Sequence, residues 1–302
     1  MKKRGFLGAL LLAGALAAGS GMTAAAAPAA GVPYTGGAPA AGPGGIAALP
    51  EISLSEEEQQ IKDTLQQAID KTNAVQSYQV TGQINMNITA EGVTIPIVMN
   101  MDSKFQGSDA DSARFLVDMK MNMMGTDIPV TYFYEGDYLY MDMLGSKIKM
   151  ALPLDEAMKQ AQSGMSFDAA NGTEGLTNLN MAENNGVRTI YYTYDPAYLN
   201  SYVEQVLNTA GMGSAQMDTQ MHIAKCVGES SVNADGYVVN QKLSMNMTVE
   251  VTAAGQTSQA AMDMFLDMNY VNVGQAIDFR LPSTDGYTEM PADMTANMPA
   301  QQ

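Results

Sequence analysis

Residues 115–124 read Phe-Leu-Val-Asp-Met-Lys-Met-Asn-Met-Met, with methionine at 119, 121 and 123 and the polar Lys120 and Asn122 between them. Successive side chains of a β-strand point to opposite faces. The spacing therefore predicts an amphipathic strand whose apolar face is written in methionine. The habit recurs as MNM at 99–101, MDM at 141–143, MNM at 245–247 and MDM at 262–264. What explains these pairs explains much of the protein.

The alternation continues on both sides. Val80, Ile84, Met86 and Ile88 alternate with Thr81, Gln83, Asn85, Asn87 and Thr89. After a turn at Glu91-Gly92, Val93, Ile95, Ile97, Met99 and Met101 form the next apolar face. Residues 127–135 and 137–144 read as two more strands around Glu135-Gly136, and Lys147-Ile-Lys149 after Gly145 as a short sixth. Together these make an antiparallel meander with Gly-containing turns. Farther on, Val187–Tyr194 reads as a strand, and three long strands are expected near 216–233, 237–251 and 256–270, with Asp235-Gly236 as a two-residue hairpin turn. Residues 163–185, rich in Gly and Asn, read as loop.

Three helices are expected. Ser55-Glu-Glu-Glu58 has capping-box spacing, and Ile61, Leu65, Ala68, Ile69, Thr72 and Val75 then share one face. Its acidic first turn suits the helix dipole. Leu154–Gln162 forms a second, short one. Pro196 suits the first turn of a third, with Tyr198, Leu199, Tyr202, Val203, Val206 and Leu207 as its apolar stripe and Gly211 or Gly213 at its end. A weak internal match pairs Gln83–Thr89 with Lys242–Thr248, each followed by a Gly turn and then Met-x-Met. It fits a duplicated hairpin and equally fits two amphipathic hairpins of similar composition.

The ends differ from the middle. Met1-Lys-Lys-Arg4, the apolar run Phe6–Gly19 and the alanines at 24–27 have the three parts of a secretory signal peptide, expected over 1–27. The apolar run is shorter than the ~18 residues of a membrane span. No Cys stands near the expected cleavage site, so no lipid attachment point is expected there. Residues 28–53, dominated by Pro, Gly and Ala, read as a disordered linker; one domain is expected over 54–290 and a flexible tail over 291–302. The expected location is secreted or extracytoplasmic, with no integral membrane segment after signal cleavage, as a monomer.

The 302 residues carry 26 Met, one Cys, one His, no Trp and a net charge of −17; loss of Lys2, Lys3 and Arg4 takes it to −20. Such a chain repels nucleic acid and anionic headgroups. Cys226 has no partner for an intrachain disulfide. His222 and Cys226 are placed on one strand face, ~13 Å apart, too far for one metal ion. Asp109 and Asp111 resemble the start of a calcium loop, without its turn Gly and terminal Glu. No phosphate loop, Gly-x-Ser-x-Gly or metal-ligand cluster is present, so the chain reads as a non-enzyme without cofactor or metal site.

Three roles remain open for the methionines. They can fill a core, with a compositional bias. They can make an adaptable surface, since Met is unbranched and repacks around irregular apolar ligands. Thioethers also bind Cu(I).

The layout supports a family resemblance. A helix ending in Asn73-Ala-Val-Gln-Ser77-Tyr78 precedes the first strand, followed by the Tyr134-Glu-Gly-Asp-Tyr-Leu-Tyr140 hairpin, Tyr270-Val-Asn-Val-Gly274 and Ile277-Asp-Phe-Arg-Leu-Pro282. Over about 54–290 the chain resembles secreted bacterial proteins and lipoproteins of the LolA/LppX-like superfamily. The resemblance implies an α+β fold: a strongly curved antiparallel sheet, an incomplete β-barrel, with helices packed on its concave side. It implies an apolar hollow that holds a lipid or a lipoprotein acyl chain, and no catalytic residues. The expected lining is Met99, Met101, Met119, Met121, Met123, Met245, Met247, Met262 and Met264, with the helix from 196 as a lid contributing Tyr198, Tyr202 and Val206. The expected partner is thus an apolar or lipidic small molecule, with a structural module that binds a cell-envelope protein as the alternative.

Overall fold

The computed structural model describes residues 49–107, 114–152, 173–209, 217–253 and 256–289. The expected signal peptide, most of the linker, Asp109 and Asp111, the helix Leu154–Gln162 and the tail lie outside these residues. Among the described residues, two helices, α1 (Glu56–Asn73) and α2 (Pro196–Thr209), accompany twelve strands. These are β1 (Ser77–Ala90), β2 (Val93–Gln106), β3 (Arg114–Met123), β4 (Thr126–Glu135), β5 (Tyr138–Met143), β6 (Ser146–Ala151), β7 (Leu176–Asn184), β8 (Val187–Tyr194), β9 (Met217–Val232), β10 (Val238–Ala253), β11 (Gln256–Val271) and β12 (Thr288–Glu289).

All twelve join one open, curved sheet in the order β12-β6-β5-β4-β3-β2-β1-β11-β10-β9-β8-β7. Every pairing is antiparallel except the short parallel contact of β12 with β6. The closing contact is between β1 and β11, which joins the first meander to the last three strands.

Local chemistry sets the hairpins. Glu91-Gly92, Met124-Gly125, Gly136-Asp137, Leu144-Gly145 and Asn185-Gly186 are two-residue connections with positive φ at both positions. That is the type I′ turn, whose twist matches that of the strands. The expected two-residue turn at Asp235-Gly236 is instead a five-residue loop, 233–237. The Asn233 carbonyl accepts from Gly236 N–H at 2.9 Å, and its side chain accepts from Tyr237 N–H at 2.9 Å. The asparagine side chain lets the longer loop satisfy its own backbone.

The hairpin ends form a staircase. Traced along the register, Ala253↔Gln256 extends four residues beyond Ala90↔Val93. Met123↔Thr126 lies level with Met86, and Met143↔Ser146 level with Gly82. Each hairpin thus steps back by four residues from its neighbour, the kind of stagger that accompanies strand tilt and a barrel-like bend.

α1 carries the expected capping box, with Ser55 Oγ accepting from Glu58 N–H at 3.3 Å and the Glu58 carboxylate accepting from Ser55 N–H at 3.0 Å. Ile61, Leu65, Ala68, Ile69 and Thr72 are its buried face. Thr72 Oγ1 donates to the Ala68 carbonyl at 2.7 Å and accepts from Val238 N–H at 2.9 Å, which ties the helix to the start of β10. Lys71 Nζ lies 4.5 Å from the Tyr237 ring centre and donates to the Asp235 carbonyl. Ahead of the helix, Leu49, Ile52 and Leu54 pack half-buried against the same core.

α2 begins where β8 stops. The Asp195 carboxylate accepts from Tyr198 N–H at 2.8 Å, and Pro196 takes the first helical position. β8 pairs with β9 only over 226–232, leaving the start of β9 open on that side. There the Asn200 amide donates to the Ile223 carbonyl at 3.1 Å and accepts from Ile223 N–H at 2.6 Å, so one side chain replaces a strand partner.

Two further readings are corrected by this arrangement. Residues 176–184, expected within a loop, form β7; its Asn residues belong to an edge strand interrupted by an irregularity between Thr177 and Asn180, with Asn178 at φ 52°. His222 does not share a face with Cys226. Lys225 pairs with Asn246 and Ile223 with Met247, so Ala224 is an extra residue that reverses the alternation and leaves His222 exposed on the outer face.

Candidate functional site

The register lays out the inner face rung by rung. Cys226, Met245, Met264, Met86, Ile97 and Met123 lie side by side across β9, β10, β11, β1, β2 and β3. Beside them run Leu243, Leu266, Ile84, Met99, Met121 and Ile128, and then Gln241, Met268, Gly82, Met101, Met119 and Val130. The nine expected sheet methionines therefore share one face. The opposite face carries polar ladders, such as Gln79 to Asp102 at 2.7 Å, Gln83 to Asn100 at 3.1 Å and Lys242 to Glu229 at 2.6 Å.

Burial divides these residues. Met99 (8% exposed), Met245 (4%), Met262 (4%) and Tyr198 (5%) are packed by protein atoms. Met101, Met119, Met121, Met123, Met247, Met264 and Tyr202 are half-buried. Val206 belongs to α2, and its side chain lies outside the described residues.

The two flanks of the inner face are unlike. At β7–β9, Leu176, Ile190, Tyr192, Tyr194 and Cys226 are buried, and α1 and α2 pack on β7, β9 and β10. The chain is tight here: a Cβ on Gly228 would sit 2.3–2.8 Å from Tyr192 ring and hydroxyl atoms, and one on Gly175 2.4 Å from the Tyr198 ring.

At β3–β6 much of the inner face is half-buried, while Phe115, Val130, Tyr134 and Leu139 on it are buried. Met119, Met121 and Met123 continue into Ile128 and Tyr132 of β4, Met141 of β5, and Ile148 and Met150 of β6. The residues from β4 to β6 were not among those expected to line the site; the Met-x-Met pair at 141–143 was the available signal. Burial raises the Tyr132 hydroxyl above the usual tyrosine range, and burial and the neighbouring Tyr270 raise that of Tyr78. Ser103, fully buried between Val80 and Val117, has a hydroxyl without a hydrogen-bond partner among the described residues.

The outer face of this flank is braced. Leu116, Phe133 and Tyr140 are covered by Ile277, Phe279, Leu281 and Tyr287 from the C-terminal segment. Phe133 and Tyr140 stack at 4.7 Å, with Tyr287 edge-on at 5.7 and 5.1 Å. The Arg114 guanidinium lies 4.8 Å from the Phe279 ring centre. The flank is thus held rigidly from outside while its inner methionines stay accessible.

Among the described residues, no three His, Cys, Asp or Glu side chains gather as a metal site, and no helix is long and apolar enough to cross a membrane. A family model matches residues 60–283. The chain belongs to DUF6612, a family of unknown function. No curated protein matches this DUF6612 chain. Among solved structures, LprF from Mycobacterium bovis is similar at 12% identity and a TM-score of 0.41, with 76% of this chain and 99% of that one covered. The ywiB protein from Bacillus subtilis is similar at 8% identity and 0.21, covering 66% and 96%. A putative outer membrane lipoprotein-sorting protein domain from Vibrio parahaemolyticus is similar at 9% identity and 0.18, covering 71% and 93%. Such values carry no statement about ligand or activity. The open antiparallel sheet with its two helices has the architecture implied by the resemblance to the LolA/LppX-like superfamily.

Proposed function

We propose that this DUF6612 chain is a non-catalytic binding protein for an apolar or lipidic molecule outside the cytoplasm, with the inner face of β3–β6 as its binding surface. The observation that carries this reading is the group of half-buried side chains Met119, Met121, Met123, Ile128, Tyr132, Met141, Ile148 and Met150, with the buried Val130 among them, on a flank braced from behind. Apolar surface withdrawn from water contributes about 25 cal/mol per Å². Unbranched thioethers let that surface fit chains of different shape. The basic, then apolar, N-terminus supports export.

Burial of Met86, Met99, Met245 and Met262 favours a second reading, a filled core in a structural module that binds a cell-envelope protein. Native purification without detergent, organic extraction and mass spectrometry separate the two. The ligand reading expects a stoichiometric apolar molecule that is lost in Met121→Asp while the chain stays folded. A folded wild type that carries nothing and takes up no added lipid sinks it. Copper assayed in the same sample tests the thioethers as soft-metal ligands.

A further inference from the structure

We propose that the tips of the β3–β4 and β5–β6 hairpins dock this protein onto the surface of a near-neutral lipid bilayer; this rests on the inner-face binding reading and names the place where the ligand is exchanged. Met124 and Leu144, the first residues of two type I′ turns, are 73% and 66% exposed. Both have φ of 54°, a left-handed conformation that penalises bulky side chains and favours Asn, Asp or Gly. Elsewhere in the molecule such turns carry Glu91, Gly136-Asp137 and Asn185. Here two large apolar side chains occupy an unfavourable backbone and stand in water, where a polar residue would cost less on both counts. Met143, 46% exposed, lies beside Leu144 on the inner-face side, as Met123 lies beside Met124. The apolar tips therefore run without a break into Met123 and the candidate binding surface.

Charge selects the partner. Lys120 pairs with Asp127 at 2.7 Å behind the first tip. Behind the second, Asp142 stands opposite Lys147, and its carboxylate accepts from Gly145 N–H at 3.1 Å. Each tip thus carries one acidic and one basic side chain behind it, in a chain of net charge −17. A zwitterionic headgroup layer accepts such a tip, whereas anionic lipid and a second copy of the chain both meet the charge of the whole molecule. Shallow insertion of apolar side chains gives reversible attachment that scales with the area buried. A ligand too apolar to diffuse through water requires such contact with its source.

The test is flotation of the full purified chain with phosphatidylcholine vesicles, compared with the double variant Met124→Asn/Leu144→Asn. Both samples carry the same N-terminus, verified by mass spectrometry. Asn-Gly is the preferred type I′ pair, so the variant is expected to be at least as stable. The wild type should float, the variant's bound fraction should fall about tenfold, and phosphatidylglycerol should weaken wild-type binding. Both proteins should take up the neutral fluorophore N-phenyl-1-naphthylamine equally. A wild type that stays unbound, equal flotation of the two proteins, or a wild-type dimer that the variant abolishes overturns membrane docking. Probe uptake by neither protein overturns the inner-face reading instead, whatever the vesicles show.

Discussion

The two flanks of the inner face are built on the same period-two alternation and end up as different materials. At β7–β9 the apolar positions are filled by rings and branched chains, buried against one another and under the helices. At β3–β6 methionine recurs at 119, 121, 123, 141, 143 and 150, and none of these side chains is fully buried. A Tyr ring with two soft torsions locks its neighbours, while a thioether chain with three yields to them. The comparison teaches that alternation decides which face is apolar, while side-chain stiffness decides whether that face can accept a guest.

The largest expected contrast comes from truncation. Leu176→Ala, at a position with no exposure, should lower stability by about 2–5 kcal/mol in urea unfolding. Met121→Ala on the other flank should cost well under half as much, because its side chain already meets solvent. Equal losses would mean that both flanks are filled alike.

Adding a methyl group sharpens the point. Gly228→Ala places a Cβ 2.3 Å from the rigid Tyr192 ring and should cost about 1–3 kcal/mol. Gly82→Ala meets the Met268 sulfur at 2.1 Å and backbone at 3.3 Å; Met268 is buried, but its unbranched thioether can change rotamer where a ring cannot. Its cost in the same melt should be about 1 kcal/mol or less.

The smallest effect is the most specific. Replacing Met119, Met121 and Met123 together by Leu should change stability by less than about 1.5 kcal/mol per site, since volume is conserved. The variant should nevertheless narrow the range of acyl-chain lengths bound, read by mass spectrometry of lipids captured from a mixture. An unchanged range would make methionine a mere synonym for leucine here.

Much of this was legible in the sequence for identifiable reasons. The two-residue turns at Glu91-Gly92 and Gly145 were visible because Gly marks the positive φ such turns require. α1 announced itself through Ser55 and Glu58, and α2 through Pro196. Edge strand β7 was hidden because Asn178, Asn180 and Asn184 have the composition of a loop, and a strand paired on one side has less need of apolar residues. The reversal at Ala224 was invisible, since a bulge leaves no periodic mark of its own, and it moved His222 to the opposite face. Alternation placed all nine sheet methionines on one face, yet it could not say which were covered. Cover depends on distant elements such as Asn200 of α2, whose partner Ile223 is 23 residues away.

The four-residue staircase of the hairpins has an evolutionary consequence. Four is an even number, so each added hairpin meets its neighbour with the same side chains facing inward. A sheet staggered in this way can gain or lose a hairpin by duplication or deletion without turning its apolar side out. Its breadth, and with it the size of molecule it can accommodate, becomes a quantity that descent can adjust in discrete steps while the chemistry of the surface stays as it was.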